Sequence, residues 1–349
     1  MLRRSSKKVR VGNVYIGGDS PVTVQSMLNK PASDIDGSVK QAVALEKAGC
    51  EIIRAAVPDM AAVKLIEKLK ENLTVPVVAD IHFDYRLALA SLDAGVDKIR
   101  INPGNIGSMD RVKAVADACK AKSVPIRIGV NSGSLEKELL AKYGSPCAEA
   151  LAESALSHVS LLERCDFDDI VISIKSSSVP IMIDSYRLVA EKCDYPLHLG
   201  VTEAGTHDMA LIKSSVGIGS LLLEGIGDTI RVSMTDDPVN EVAAANGILK
   251  ACGLKKDGVD IVACPTCGRT KIDLIGLAKE VESRLSGCKK NIRVAVMGCA
   301  VNGPGEAREA DIGIAGGDGC ALIFKKGEIV CKVPESEAVD TLISEIEKL

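Results

Sequence analysis

Aromatic side chains are nearly absent from this sequence. They make up 2% of its 349 residues, and tryptophan does not occur. Proteins that bind single-stranded nucleic acids usually stack the bases on aromatic rings, so this class is disfavoured. A core without large rings must consist of Val, Ile, Leu and Ala. That composition is typical of parallel α/β folds, whose buried strands are almost continuous aliphatic runs.

Long apolar runs and a strong charge imbalance are also missing. No stretch reaches the roughly 20 apolar residues of a membrane span. The basic stretch Arg3–Arg10 is not followed by the apolar run of a signal peptide. A net charge of −4 gives no reason to expect a general polyanion-binding surface. We therefore expect a cytoplasmic protein with no membrane or nucleic-acid partner, whose first residues form a solvated tail.

The first 235 residues repeat one unit, in which a short aliphatic run with a polar end is followed by an amphipathic helical pattern. Such alternation predicts parallel strands joined by right-handed crossovers. Eight units fit a (β/α)8 TIM barrel, with a doubly wound open sheet as the alternative. The predicted strands are Val22–Met27, Ile52–Val57, Val75–Ile81, Lys98–Ile101, Pro125–Val130, Asp169–Ile174, Leu197–Val201 and Ile218–Leu223.

Almost every predicted strand ends in a charged or amide side chain, although folding does not require one there. In a barrel these ends meet at one mouth. Several cations buried together require an anion between them, which favours a phosphate or diphosphate ligand over structural ion pairs. Gly104–Gly107 and Gly217–Gly219 could add backbone N–H groups. The strand-end residues are Arg54, Asp80, His82, Arg100, Asn102, Arg127, Asn131, Lys175, Thr202, Glu203 and Glu224.

The repeating pattern stops near Lys250–Asp257, which resembles a helix end and a linker. We therefore predict two domains, residues 1–252 and residues 253–349. The second is a small α/β domain with strands at Asp260–Ala263, Arg293–Val296, Asp311–Ala315, Ala321–Lys325 and Glu328–Lys332, and with helices at Asp273–Leu285 and Glu335–Leu349.

Three cysteines of this second domain stand out. Cys264 and Cys267 have CxxC spacing, and Cys299 lies in a separate loop rich in glycine. A zinc ribbon would usually add a second CxxC or paired histidines, and a thioredoxin-like motif would not need Cys299. Three thiolates favour an iron–sulfur cluster with one exchangeable position. Alternative ligands are Cys288, Cys320 and Cys331, and spacing alone makes Glu306 a solvent-exposed loop residue.

The acidic and basic strand-end residues allow more than one role. Glu203 is the better general-acid candidate, because reductive chemistry consumes protons. Asp80 can equally hold neighbouring cations in place. His82 can position a substrate, carry a proton or serve as a structural hydrogen-bond partner. Lys175 would be the Schiff-base residue if the barrel were an isomerase or aldolase.

Seven stretches spread over the whole chain resemble the 4-hydroxy-3-methylbut-2-enyl diphosphate synthase family in its compact two-domain bacterial form. One departure is Ala263, where Ser is expected. The stretches are Val24-Gln-Ser-Met27, Ala79-Asp-Ile-His-Phe83, Arg100-Ile-Asn-Pro-Gly-Asn105, Pro125-Ile-Arg-Ile-Gly-Val-Asn131, His198-Leu-Gly-Val-Thr-Glu-Ala-Gly205, Cys264-Pro-Thr-Cys-Gly-Arg269 and Met297-Gly-Cys-Ala-Val-Asn-Gly-Pro-Gly-Glu306.

The resemblance implies an iron–sulfur oxidoreductase of isoprenoid biosynthesis, with a TIM barrel followed by a small α/β cluster domain. The implied reaction is the reductive ring opening and dehydration of 2-C-methyl-D-erythritol 2,4-cyclodiphosphate to (E)-4-hydroxy-3-methylbut-2-enyl diphosphate. Flavodoxin or ferredoxin would donate the electrons. The implied assembly is a homodimer in which one subunit's cluster domain closes over its partner's barrel mouth. The competing interpretation is a zinc-stabilised phosphosugar-binding barrel without redox activity.

The resemblance also assigns roles to individual residues. It implies a [4Fe-4S] cluster held by Cys264, Cys267, Cys299 and Glu306. It implies that Thr202 and Glu203 lie near the reacting carbons, and that the cyclic diphosphate is bound by Arg54, Arg100, Arg127, Asn131 and Lys175. Their positions at strand ends add His82 as a catalytic candidate and Asp80 and Asn102 as substrate-binding candidates.

Overall fold

The computed structural model describes residues 2–299 and 307–349. The chain divides into two compact units, of which the first ends at Lys255 and the second spans Lys256–Leu349. This division falls within the stretch predicted to be a linker. None of the described helices is long and apolar enough to cross a membrane.

The N-terminal residues pack against the barrel, so the prediction of a solvated tail is wrong. Arg3 donates a hydrogen bond to Asp228 Oδ1 at 3.0 Å, and Arg4 donates to the carbonyl oxygen of Cys193 at 2.6 Å. These acceptors lie about two hundred residues further along the chain, where local composition gives no sign of them. An antiparallel hairpin follows, formed by β1 (Val9–Val11) and β2 (Val14–Ile16).

Eight parallel strands then form the barrel. They are β3 (Thr23–Met27), β4 (Ile52–Ala56), β5 (Val77–Asp80), β6 (Lys98–Ile101), β7 (Ile126–Asn131), β8 (Ile170–Lys175), β9 (His198–Leu199) and β10 (Thr229–Ile230). Their spatial order is β8-β7-β6-β5-β4-β3-β10-β9, and an isolated parallel bridge between Ile172 and Leu197 joins the two ends. The predicted (β/α)8 barrel is therefore confirmed, and the open sheet is not.

Helices surround the barrel and shield the outward faces of its strands. They are α1 (Ile35–Lys47), α2 (Val63–Asn72), α3 (Tyr85–Asp93), α4 (Pro103–Ile106), α5 (Met109–Lys122), α6 (Lys137–Tyr143), α7 (Ala148–Glu163), α8 (Val179–Lys192), α9 (His207–Leu223) and α10 (Pro238–Ala251). The layer between helices and strands is aliphatic: Leu45, Ile66 and Ile99 are among its fully buried members. The hairpin side chains Val11 and Ile16 pack on Ile52 and Val78, at the amino end of the barrel.

The eighth strand is not where the sequence predicts it. Ile218–Leu223 belongs to helix α9, and the strand is the two-residue β10. The helical period is hidden because α9 also exposes apolar residues, such as Val216. Glu224 is therefore the C-cap of a helix and bonds to Arg187, at 2.9 Å from Nε, rather than ending a strand. Gly217 lies inside the same helix and cannot offer a free N–H group to a ligand.

The second unit is a five-stranded mixed sheet in the order β11-β12-β13-β14-β15. Its strands are β11 (Val259–Ala263), β12 (Ile292–Met297), β13 (Ile312–Gly317), β14 (Cys320–Lys325) and β15 (Glu328–Pro334). The first three are parallel, and the last two continue the sheet antiparallel. Helices α11 (Leu274–Arg284) and α12 (Ala338–Glu347) pack against it around a core that includes Val281, Ile314 and Leu342. Every element predicted here is present.

Candidate active site

The carboxyl ends of the barrel strands surround a cavity of about 150 Å³. Side chains alternate along a strand, so Ile99 and Ile101 face the helices while Arg100 between them faces the barrel. Five cations line this cavity, which is an unusual concentration for a space so small. They are Arg54, Arg100, Arg127, Lys175 and Arg231, and the polar side chains of His82, Asn131, Ser173 and Thr202 lie beside them.

Asp80 is the carboxylate that organises one side of this cavity. It is 1% exposed and accepts hydrogen bonds from Arg54 Nη2 at 2.6 Å and Arg100 Nη1 at 3.1 Å. His82 Nε2 lies 3.2 Å from the same carboxylate. Burial alone would raise the pKa of Asp80, but Arg54, His82 and Arg100 together hold that pKa well below its ordinary value. Asp80 therefore stays ionised and fixes the two guanidinium groups.

Glu241 is the second carboxylate near the mouth. It lies 3.5 Å from Arg231 Nη2 and also accepts a hydrogen bond from Ser26 Oγ at 3.2 Å. Among the described residues, two carboxylates thus accompany the five cations of the cavity. Burial, reinforced by neighbouring cations, lowers the pKa of both Arg127 and Lys175 well below their ordinary values. Positive charge is in excess, so the cavity is suited to an anion.

Arg127 is the cation that most needs such a ligand. Its side chain is 1% exposed, and its Nε and Nη1 atoms have no hydrogen-bond partner within the described residues. Unpartnered buried donors destabilise a fold unless something accepts from them. A phosphate oxygen would satisfy both the charge and the donors of this guanidinium.

The structure brings most of the predicted barrel residues together. Those that line the cavity are Arg54, His82, Arg100, Arg127, Asn131, Lys175 and Thr202, and Asp80 anchors two of them. Asn102 instead caps α4 by accepting from the Gly104 N–H at 3.0 Å, and it does not line the cavity. Glu203 is exposed beside Thr202, with a left-handed φ of 52°. Glu306 lies outside the described residues.

Arg231 is the cavity residue that the sequence analysis missed. It directly follows β10, the true eighth strand. The sequence analysis placed that strand at Ile218–Leu223 and therefore took Glu224 as its polar end. A signal was present, because the run Thr229-Ile-Arg231-Val repeats the aliphatic–arginine alternation of Lys98-Ile-Arg100-Ile.

Replacing Arg231 by Met should weaken the binding of inorganic pyrophosphate. A charge-assisted hydrogen bond contributes about 1.5–3 kcal/mol, so the affinity should fall roughly tenfold to a hundredfold. Isothermal titration calorimetry measures this directly. Arg187→Met, on the outer helix α8, is the matched control and should bind like the unaltered chain. Equal affinity in both variants would remove Arg231 from the anion site.

Cys264, Cys267 and Cys299 lie on two loops that leave the carboxyl ends of the adjacent parallel strands β11 and β12. The Gly298 N–H donates a hydrogen bond to Cys264 Sγ at 3.2 Å. A Cβ at Gly298 would lie 3.0 Å from the Thr270 side chain and 3.1 Å from that of Leu274, so a larger residue would press on both side chains where the loops approach each other. The three thiols therefore share one edge of the sheet.

The alternative cysteines are placed differently. Cys288 precedes β12 and lies at the opposite end of that strand from Cys299. Cys331 lies partway along the edge strand β15, where it pairs with Ile323 of β14 and not with the strand ends that carry the three thiols. Both pack against the core of the second unit. Cys320 begins the antiparallel strand β14, which brings it to the same sheet edge as Cys264.

The donor set at this edge has the chemistry of an iron–sulfur site, although among residues 2–299 and 307–349 no three His, Cys, Asp or Glu side chains are close enough together to hold a metal ion. All three cysteines are free thiols. Hydrogen bonds from the backbone and side chain of Arg269 lower the pKa of Cys267, which favours its thiolate. Burial instead raises the pKa of Cys50 to about 12, so that thiol is inert. Hydrogen bonds from N–H groups to sulfur are typical of cluster sites, and Cys264 Sγ accepts such a bond.

Comparison with known proteins shows the family. Residues 6–246 match the GcpE TIM-barrel domain, and residues 260–348 match the GcpE protein C-terminal domain. The chain belongs to the GcpE family. A relative from Clostridium perfringens (strain 13 / Type A), named 4-hydroxy-3-methylbut-2-en-1-yl diphosphate synthase (flavodoxin), is 61% identical over 349 residues, 100% of both chains. A relative of the same name from Geobacter sulfurreducens is 56% identical and covers 100% of this chain and 99% of its own. GcpE membership confirms the resemblance seen in the motifs.

Solved structures that are similar to this GcpE chain support the barrel fold alone. Dihydropteroate synthase from Stenotrophomonas maltophilia superposes with a TM-score of 0.52 at 14% identity, covering 70% of this chain and 97% of that one. The 3-dehydroquinate dehydratase from Geobacillus kaustophilus HTA426 superposes with a TM-score of 0.51 at 15% identity, covering 72% of this chain and 99% of that one. At such identities they carry no information about function.

Proposed function

We propose that this GcpE protein converts 2-C-methyl-D-erythritol 2,4-cyclodiphosphate to (E)-4-hydroxy-3-methylbut-2-enyl diphosphate by two-electron reduction with loss of water. The observation that carries the proposal is the cavity lined by five cations, three of which pair with the neighbouring carboxylates Asp80 and Glu241. A cyclic diphosphate would bring two negative charges to this excess of positive charge. Flavodoxin, which the names of the relatives include, is the proposed electron donor.

Rigid positioning of the cations would select the diphosphate. Asp80 holds Arg54 and Arg100 in fixed orientations, so neither guanidinium has to be ordered when the ligand arrives. Arg100 Nη2 also donates to the Gly129 carbonyl at 3.3 Å, where any side chain at Gly129 would collide with that guanidinium. Arg127 and Lys175 then offer donors from the two following strands. Asn131 would add an uncharged contact at the cavity wall.

Cys264, Cys267, Cys299 and Glu306 would hold the [4Fe-4S] cluster. When bound, the cluster supplies electrons and a Lewis-acidic iron. Thiolates are softer ligands than carboxylates, so Glu306 is the ligand most easily exchanged for a substrate oxygen. Because the thiols and the cations belong to different units, we propose a homodimer in which each cluster domain serves the partner's barrel. Mixing an inactive cluster variant with an inactive barrel variant should then restore part of the turnover.

The proton for the leaving water would come from Glu203. Its neighbour Thr202 lines the cavity and is fixed by its backbone N–H, which donates to the Ser176 carbonyl at 3.2 Å. Glu203 itself is exposed, so it can exchange protons with solvent between turnovers. His82, tied to Asp80, would orient the substrate on the opposite wall.

Replacing Glu203 by Gln should abolish turnover and leave the visible spectrum unchanged. Loss of a general acid costs about a hundredfold to ten-thousandfold in rate. The measurement is anaerobic turnover of the cyclic diphosphate with reduced flavodoxin or a chemical reductant. The unaltered protein should be brown, contain about four irons per chain and form the linear diphosphate. Glu224→Gln, at the outer end of α9, is the control and should remain active.

Two results would contradict these proposals. Normal turnover by Glu203→Gln would place the general acid elsewhere. A colourless protein with one zinc and no turnover would refute the reductive function and support the zinc-stabilised barrel.

A further inference from the structure

Lys98 is a fully buried lysine that the proposed reaction does not use. It is the first residue of β6 and has 0% exposure. Its Nζ atom has no hydrogen-bond partner among the residues that the structure describes. Lysines are almost never buried completely without a partner. Lys98 does not line the mouth cavity, so it is not a direct ligand of the proposed substrate.

The surroundings of Lys98 are polar, but within residues 2–299 and 307–349 they offer no carboxylate that is free to pair with it. Register places Lys98 beside Val78, which in turn lies beside Arg54. Buried polar atoms of Gln25, Arg127 and His198 also lack hydrogen-bond partners within the described residues. β3 contributes only the neutral Thr23 and Gln25. The charged and titratable groups on the inward faces of the other strands are Arg54, Asp80, Arg100, Arg127, Lys175, His198 and Arg231.

Asp80 is the carboxylate on this side, and it is already engaged by Arg54, Arg100 and His82. Burial, reinforced by Arg127 and Arg54, therefore lowers the pKa of Lys98 well below its ordinary value. A charged amine in this position would add one more buried positive charge to a cluster of cations, with no hydrogen-bond partner among the described residues. Negative charge that enters the mouth would offset the repulsion from the neighbouring cations and favour the charged form of Lys98.

We propose that Lys98 takes up one proton from solvent when the cyclic diphosphate binds above it, and returns that proton when the product leaves. The inference rests on the proposed function, because the ligand that drives the uptake is the proposed substrate. No bond to Lys98 forms or breaks other than N–H, and the proton is not consumed in the reaction. Lys98 thus acts as a charge-compensating residue beneath the substrate site.

The distance to the substrate is short enough for this coupling. Lys98 and Arg100 are two residues apart on β6, which corresponds to about 7 Å along the strand. At about 8 Å and an effective dielectric constant of about 20, each negative charge raises the proton affinity of an amine by roughly thirtyfold. The product diphosphate carries one more negative charge than the cyclic substrate, so the proton is retained until release.

Calorimetric titration of the oxidised holoenzyme with the cyclic diphosphate, without reductant, tests the proposal. Each phosphorus of the cyclic diphosphate carries one strongly acidic group, so the ligand is fully ionised near neutral pH and any proton taken up on binding must go to a protein group. Titrations in two buffers of different ionisation enthalpy should show uptake of about one proton per site, and the affinity should fall by about tenfold per unit increase in pH. In Lys98→Met the uptake should disappear and the affinity should become nearly independent of pH.

The controls separate the alternatives. Lys113→Met, on the exposed face of α5, should behave like the unaltered protein. Uptake that persists in Lys98→Met would assign the proton to Lys175 or His82 and overturn the proposal. Binding by the unaltered protein without proton uptake would also overturn it, even if the Lys98 variant does not fold. If the unaltered protein does not bind the cyclic diphosphate, both the proposed function and the proposed role of Lys98 are refuted. Binding without proton uptake refutes the role of Lys98 alone.

Discussion

Replacing Cys264 by Ser should remove most of the iron from the anaerobically purified protein and lower turnover by at least about a hundredfold. A serine oxygen is a harder ligand than a thiolate and binds cluster iron poorly. Cys264 is also the thiol whose sulfur accepts the Gly298 N–H, so the substitution disturbs the contact between the two ligand loops. Iron and sulfide content, visible absorbance and turnover are the measurements.

Cys320→Ser is the matched control for this experiment. Cys320 lies at the same sheet edge but is not a proposed ligand, so its replacement should leave iron content and colour unchanged. Full iron content in Cys264→Ser would refute the ligand assignment. Iron loss in Cys320→Ser instead would make that cysteine a ligand and remove the need for Glu306.

Replacing Asp80 by Asn should destabilise the barrel and abolish ligand binding. The substitution leaves Arg54 and Arg100 buried without their shared carboxylate, and breaking a buried ion pair in this way costs about 3–5 kcal/mol in the free energy of unfolding. Both guanidinium groups also lose their fixed orientation at the mouth. Chemical denaturation measures the first effect, and pyrophosphate titration measures the second.

The contribution of Asp80 to the free energy of unfolding should decrease in acid. The folded-state pKa of Asp80 is depressed, so its stabilising contribution is fully present above the unfolded-state value of about 3.9 and is lost as the pH falls towards the folded-state value. The difference in free energy of unfolding between the unaltered protein and Asp80→Asn should therefore be constant near neutral pH and become smaller in acid. Asp117→Asn, an exposed partner of Lys113, should change stability by less than about 1 kcal/mol. Equal stability of Asp80→Asn and the unaltered protein would mean that the buried cations need no counter-ion.

The fold could be predicted where burial leaves a local pattern. Strands such as β6 and β7 are aliphatic on their outward faces because helices cover them, so they are visible in the sequence. The prediction failed at α9 and β10, because a helix with exposed apolar residues loses its period and a strand of two residues has none. It failed again at Arg3, whose partner Asp228 is 225 positions away.

The candidate site was predictable to the extent that its residues carry chemical signatures. Cysteines at CxxC spacing and arginines inside aliphatic strands are rare enough to notice. Arg231 was missed because its strand was misplaced, and the role of Asn102 as a helix cap could not be distinguished from ligand binding. The orphaned amine of Lys98 has no signature at all, because a lysine at a strand start is usually solvated.

The sequence by itself determined the strand–helix alternation, the cationic strand ends, the three thiols and membership of the GcpE family. Only the tertiary structure decided which cations share Asp80, that Arg231 completes the mouth and that the Lys98 amine finds no hydrogen-bond partner in the part of the chain that the structure describes. The physical reason is that burial follows local periodicity, whereas ion pairs depend on strand register and barrel closure. Those two features join residues that are far apart in the chain.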